Sequence, residues 1–214
     1  MGARDSGVFV VVEGPEGAGK STLARWLGVR LTAEGLPVVT VRQPGGTPVA
    51  EAARKVALRF PHEMSPAAEL FLFLAARADL VFRVIRPALE AGQVVVADRF
   101  DLSTLAYQVA GSGLPADDVA RAIRLATGGL VPDLTVVLDV PVDVGRARQR
   151  AARKVQDRIE RQDDAFHRRV LDAYRRATGP GVVHIDATQS KKAVQDAAWR
   201  EVMAVTALST RGVS

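Results

Sequence analysis

Residues 8–22 read VFVVVEGPEGAGKST, and this stretch decides the fold. Val8–Glu13 is a short β-branched run, apolar until its last position, as expected of a parallel strand covered on both faces. Gly14, Pro15, Glu16, Gly17, Ala18, Gly19, Lys20, Ser21 and Thr22 then satisfy the pattern G-x-x-x-x-G-K-[ST] in its required setting, with a strand before and a helix after. Glycines let backbone N–H groups turn inward around a phosphate, and a helix starting near Lys20 adds partial positive charge. The Lys20 ammonium reaches the β- and γ-phosphates, and the Ser21 hydroxyl is a ligand for Mg²⁺. The stretch predicts a nucleoside triphosphate site.

Working outward, Val38–Arg42, Gln93–Asp98, Leu134–Asp139 and Val182–Asp186 repeat the apolar strand signal. Helical patterns fall between them, near 20–34, 48–59, 66–91, 115–127, 142–152, 160–177 and 190–208. Such alternation predicts an α/β chain of the P-loop NTP hydrolase type, three layers with a five-stranded parallel sheet flanked by helices. No repeat or low-complexity linker interrupts the pattern. Residues 1–214 are therefore expected to form one domain, with 1–7 a flexible end. Most strands finish in polar or glycine-rich residues: Glu13-Gly14, Arg42-Gln43-Pro44, Asp98-Arg99 and Asp139. In open α/β sheets the ligand crevice lies at those carboxyl ends.

Composition narrows the classes. The 214 residues are 48% hydrophobic and 25% charged, which excludes a disordered or low-complexity chain. No apolar stretch approaches the ~18 residues that span a bilayer. The start, MGARDSG, lacks the form of a secretory leader, so a cytoplasmic protein is expected. With no cysteine there are no disulfides, thiolate metal sites or cysteine nucleophiles. The net charge of +5 is concentrated between Arg146 and Arg176, and only Phe166 and Tyr174 fall among those arginines, too few for the stacking platform that single strands require. Neither nucleic acid nor membrane is an expected partner. His62, His167 and His184 are scattered without metal-ligand spacing and read as structural.

Asp98 and Arg99 close the third strand and so face the crevice. Arg99 offers a planar fork to an acceptor phosphate, and Asp98 is placed to hold Mg²⁺ directly or through water. Phe73 and Arg77, four apart, share one helix face. A ring that stacks on a base and a guanidinium that reaches its edge suit a pyrimidine, although a phenylalanine on an apolar helix is more often core. The N-K-x-D sequence of guanine-specific switches is absent, as is a second domain through which a motor would work.

The segments EGPEGAGKST, VRQPGGT, ELFLFLAARADL, ADRFDLSTLAYQ and DRIERQDDAFHRRVLDAY, in this order across residues 8–188, resemble the thymidylate kinase family. The resemblance implies Mg²⁺-dependent transfer of a phosphoryl group from ATP to dTMP, giving dTDP for dTTP synthesis. It also implies a homodimer, with the apolar helix around 66–91 as the contact. By the same resemblance Tyr107 lies under the sugar and crowds out a ribose 2′-hydroxyl, and Thr104 sits near the base. Glu16 matches the family carboxylate that contacts the acceptor sugar or its metal, and Arg42 joins the acceptor site. Where the family usually has Glu, this chain has Gln43, one negative charge fewer near the acceptor. Arg146, Arg148, Arg150, Arg153 and Arg158 resemble the family's lid, about residues 146–160. One branch of the family carries a basic residue in the phosphate loop, and the other draws arginines from the lid. With Glu16 in the loop, this chain fits the second, which makes Arg148, Arg150 and Arg153 catalytic candidates beside Lys20 and Arg99.

Two other readings compete. One is a kinase for another pyrimidine monophosphate, such as a 5-substituted dUMP, because a single methyl in an apolar pocket is worth only ~0.8 kcal/mol. The other is an ATP-dependent nucleic-acid-binding regulator, favoured only by the pI of 10.1.

Overall fold

Why the first strand sits at the centre follows from its residues. A computed structural model, describing residues 7–151 and 157–211, shows β1 (Val8–Glu13) buried at every position. Of the flexible end expected at 1–7, all but Gly7 lies outside the described residues. Such a strand needs partners on both edges and cover on both faces. β2 (Val38–Arg42), β3 (Val94–Asp98), β4 (Leu134–Asp139) and β5 (Val182–Asp186) complete one parallel sheet in the order β2-β3-β1-β4-β5. β1 pairs with β3 through Val8–Val94 to Val12–Asp98, and with β4 through Val10–Leu134 to Glu13–Val137. The register brings Glu13, Asp98 and Asp139 to one end of the sheet.

Alternation along β1 sorts the two core layers. Val8, Val10 and Val12 pack with Leu23, Leu27 and Leu31 of α1 (Lys20–Ala33) and with Ala198 and Val202 of α9 (Lys191–Arg211). Phe9 and Val11 point the other way, towards Leu80, Ile85, Leu89 and Phe100. The Phe9 and Phe100 rings meet edge to face at 4.9 Å. Burial of a Leu such as Leu27, fully enclosed, contributes about 1.5–3 kcal/mol.

The remaining helices are α2 (Pro48–Arg59), α3 (Pro66–Leu80), α4 (Arg86–Glu90), α5 (Asp101–Thr104), α6 (Ala116–Thr127), α7 (Val142–Ala151) and α8 (Asp164–Arg175). Thr47 and Ser65 cap α2 and α3, their hydroxyls accepting from the N–H groups of Ala50 and Ala68. The single helix expected over 66–91 is divided by a π-helical turn, Val81–Ile85, before α4. Pro87 accounts for it: proline has no N–H to donate, and its ring presses on the preceding turn of a regular helix, which widening relieves. A second π-helical stretch, Leu105–Gly111, continues α5.

Candidate active site

Three glycines shape the loop between β1 and α1. Gly14, Gly17 and Gly19 have φ of 137°, 72° and 99°, a region that side chains rarely enter. Lys20 opens α1 and is buried, its Nζ donating to the Pro15 carbonyl at 2.6 Å. Burial pulls its pKa down to about 8; Arg99 adds to the drop, and Glu16, Asp98 and Glu13 oppose it. An ammonium whose burial and Arg99 neighbour outweigh its carboxylates is a preformed attractor for phosphate. The Ser21 hydroxyl donates to Asp98 Oδ2 at 2.5 Å. Two hard oxygens beside a phosphate loop fit Mg²⁺, which takes one or two protein ligands and completes its shell with water and phosphate oxygens.

Arg99, predicted for the acceptor phosphate, has φ of 73°, the single non-glycine residue with a positive φ among the described residues. Such a conformation costs about 1–3 kcal/mol and persists only when its surroundings impose it. Here Glu13 imposes it. This fully buried carboxylate accepts from the N–H groups of Phe100 (2.7 Å) and Ser103 (3.0 Å), from Ser103 Oγ (2.6 Å) and from the Tyr174 hydroxyl (3.1 Å). The Arg99 guanidinium then donates to Ser103 Oγ, Tyr174 Oη and Glu16 Oε1 at 3.0–3.1 Å and lies over the Tyr107 ring. Tyr107 donates its hydroxyl proton to the same Glu16 oxygen at 2.6 Å. Glu16, Arg99 and Tyr107, all singled out in the sequence, thus meet at one point. Glu13, Ser103 and Tyr174, which build that point, were not singled out; their signal was a lone carboxylate ending an apolar strand.

Deeper in the same cavity, of about 470 Å³, lie Phe73, Arg77, Thr104 and Gln43, with Arg42 at its mouth. Arg77 Nε donates to Gln43 Oε1 at 2.8 Å, and its Nη2 donates to the Phe100 carbonyl and to Thr104 Oγ1. Burial lowers its pKa, partly countered by Asp101 and Glu13. Arg42 reaches Glu51 at 3.2 Å on the rim. Arg54, which sequence reasoning passed over, also lines this wall and donates to the Pro44 carbonyl at 2.8 Å. The expected base, sugar and phosphate contacts share one space with Lys20 and Ser21.

The lid candidates divide. Gly145 has no side chain because a Cβ there would stand 2.5 Å from the Glu16 carbonyl oxygen, so α7 docks directly on the phosphate loop. From α7, Arg148 reaches the Ala187 carbonyl at 2.8 Å and enters the cavity. Arg150 does not: it lines a neighbouring recess with Arg146 and Arg161. Arg153 lies outside the described residues. Arg158 is no phosphate ligand here, being paired with the buried Glu69 and bonded to the Ala57 carbonyl. Of the histidines, His184 bridges Asp139 Oδ2 (2.9 Å) and the Ala177 carbonyl (2.8 Å), and His62 meets the Phe60 ring edge to face at 5.4 Å.

Comparison with known proteins agrees with this geometry. The sequence profile of the family described as thymidylate kinase matches residues 12–198. A thymidylate kinase of Thermomicrobium roseum is 46% identical over 200 residues, covering 92% of this chain and 95% of its own. One from Pseudomonas putida is 49% identical over 195 residues, covering 89% and 92%. One from Pseudomonas fluorescens is 48% identical over 194 residues, covering 89% and 92%.

Proposed function

The chain belongs to the thymidylate kinase family, and from that premise we propose that it transfers the γ-phosphoryl group of ATP to dTMP. The observation that carries this reading is the continuity of one cavity from Lys20 and Ser21 to the Phe73–Arg77 corner. A triphosphate on the loop and a pyrimidine monophosphate at that corner would meet within it. An acceptor phosphate oxygen forms the new bond to the γ-phosphorus as the bond to the bridging oxygen breaks, and ADP leaves with the electron pair. No general base is needed, since the acceptor phosphate is ionised near neutral pH. Positioning and charge neutralisation do the rest.

The residues divide that task. Loop N–H groups from Gly14 to Thr22 and Lys20 hold the donor phosphates. Arg99 takes the acceptor phosphate, Phe73 stacks on the base, and Arg77 and Thr104 meet its edge. Tyr107 and Glu16 face the sugar, and Arg42 stands at the rim. Arg148, with Arg150 and Arg153, serves as the lid's cation source. Ser21 and Asp98 are the residues for Mg²⁺, which when bound neutralises and orients phosphate oxygens. A second copy of the chain covers the apolar side chains of Phe71 and Phe82, 63% and 73% exposed, making a homodimer in the cytoplasm. Residues 1–214 act as one domain.

The test is ADP formation from ATP against a panel of nucleoside monophosphates. Turnover is expected with dTMP and at least tenfold weaker with UMP, whose 2′-hydroxyl meets Tyr107. ATP turnover that requires DNA and ignores dTMP overturns the reading.

A further inference from the structure

The corner formed by Gln43 and Arg77 contains donors without acceptors. Arg77 Nε can only donate, so the Gln43 amide must turn its oxygen towards it, which fixes the amide orientation. Arg77 Nη2 is already spent on Phe100 and Thr104. What remains is Arg77 Nη1 and Gln43 Nε2, both buried and both without a hydrogen-bond partner in the protein. Gln43 is 7% exposed and Arg77 4%, and both line the cavity beside Phe73. Buried donors left unmet are costly, so a ligand or water that answers them is favoured.

The pattern of a 4-oxo pyrimidine says what can answer. Its edge runs from the O2 acceptor to the N3–H donor, the O4 acceptor and then the substituent on C5. O2 stands next to the nitrogen that bears the sugar, so with the phosphate towards Arg99 the far corner is O4 and C5. Arg77 Nη1 suits O4. The donor beside it cannot face N3–H, itself a donor, and so lies on the C5 side of O4, next to the 5-substituent.

We propose that Gln43 Nε2 reads the 5-substituent, so that this acceptor site takes deoxyuridine monophosphates whose 5-substituent carries a hydroxyl, as well as dTMP. The inference rests on the dTMP reading above. In dTMP the N–H meets a methyl group; a 5-hydroxymethyl group places an oxygen there. A glutamate at this position would turn an acceptor to the same spot, so the departure from the family's usual residue changes what the corner selects.

An apolar pocket rejects an added hydroxyl by ~10²-fold, and a waiting donor removes that penalty. With the wild-type protein, kcat/KM for 5-hydroxymethyl-dUMP is expected within tenfold of that for dTMP. In Gln43→Met, close in shape but without the N–H, the ratio of the two falls at least fivefold further, whatever the absolute rate with dTMP. Calorimetric binding of 5-hydroxymethyl-dUMP to the wild-type chain gives the same comparison without a variant. A wild-type ratio worse than tenfold, or a ratio unmoved in Gln43→Met, overturns the proposal. Absence of turnover with dTMP itself would instead overturn the proposed function.

Discussion

Two groups of cations lie close to the phosphate loop, and they are held in opposite ways. Arg99 is enclosed, 18% exposed at its side chain, with its guanidinium spread over Ser103, Tyr174, Glu16 and the Tyr107 ring. On α7, Arg148 hydrogen-bonds among the described residues to two backbone carbonyls, Arg146 pairs with an exposed Asp164, and Arg150 lines a separate recess. The first group was ordered when the chain folded, so its cost is met before any nucleotide arrives. Cations of the second kind give the fold little, because exposed ion pairs contribute only about 0–1 kcal/mol. In the proposed reading Arg148 serves a ligand instead. Stability and catalysis are thus separable by side chain, and mutation can test the division.

The largest effect is expected at Lys20, which belongs to the enclosed group and is the cation proposed to hold the donor phosphates. Lys20→Ala should lower kcat by 10³-fold or more, in the range that single cations supply in phosphoryl transfer. Its melting temperature should not fall, since the change removes a desolvated charge. Turnover within tenfold of wild type would show that the loop does not hold the donor.

A paired comparison comes next. Glu13→Gln replaces a carboxylate that accepts four hydrogen bonds with an amide, and half of that amide can only donate. Loss of about 2–4 kcal/mol of stability is expected from bonds of this charged kind, or a melting temperature lower by roughly 5–15 °C. Arg148→Ala should do the reverse, lowering kcat by about 10–100-fold while the melting temperature stays within about 2 °C. If both variants lose stability alike, the two groups of cations are one.

The smallest effect is one of pH. Arginines stay charged throughout, but the Lys20 ammonium, with its pKa at about 8, does not. The sign follows from linkage. Between about pH 8 and 10.5 the unfolded chain carries this proton and the folded one does not, so Lys20 makes the ligand-free protein more stable as pH rises. Bound phosphates favour the ammonium, so ATP binding takes up a proton in that window and weakens by up to about tenfold per pH unit above 8. Calorimetry in buffers of different ionisation enthalpy measures the uptake. Lys20→Ala should abolish it, and no uptake in the wild type would place the ammonium outside the phosphate site.

Much of this was legible in the sequence because it is local. The loop from Gly14 to Thr22 lies between one strand and one helix, and the five apolar runs announce their own period. Phe73 and Arg77 were found by spacing and by family likeness together. The support beneath Arg99 was not legible, because Glu13 meets Tyr174 across 161 residues and no periodicity joins them. Arg158 read as one more member of a basic run, and only tertiary packing set it against Glu69. The π-helical turn at Val81–Ile85 was hidden in the helical pattern, since Pro87 marks a disturbance without saying how it is absorbed.

The place of β1 in the sheet sets a timetable. This strand leaves the ribosome well before either of its sheet neighbours. Its partner β3 begins at Val94, and the tyrosine that closes over Glu13 is Tyr174. At roughly 5–20 residues per second, these follow Glu13 by about 4–16 s and 8–32 s. Through that interval the nascent chain carries an apolar strand with two unpaired edges and a phosphate loop with no acceptor wall. The segment that is most easily read in the sequence is among the last to become a site.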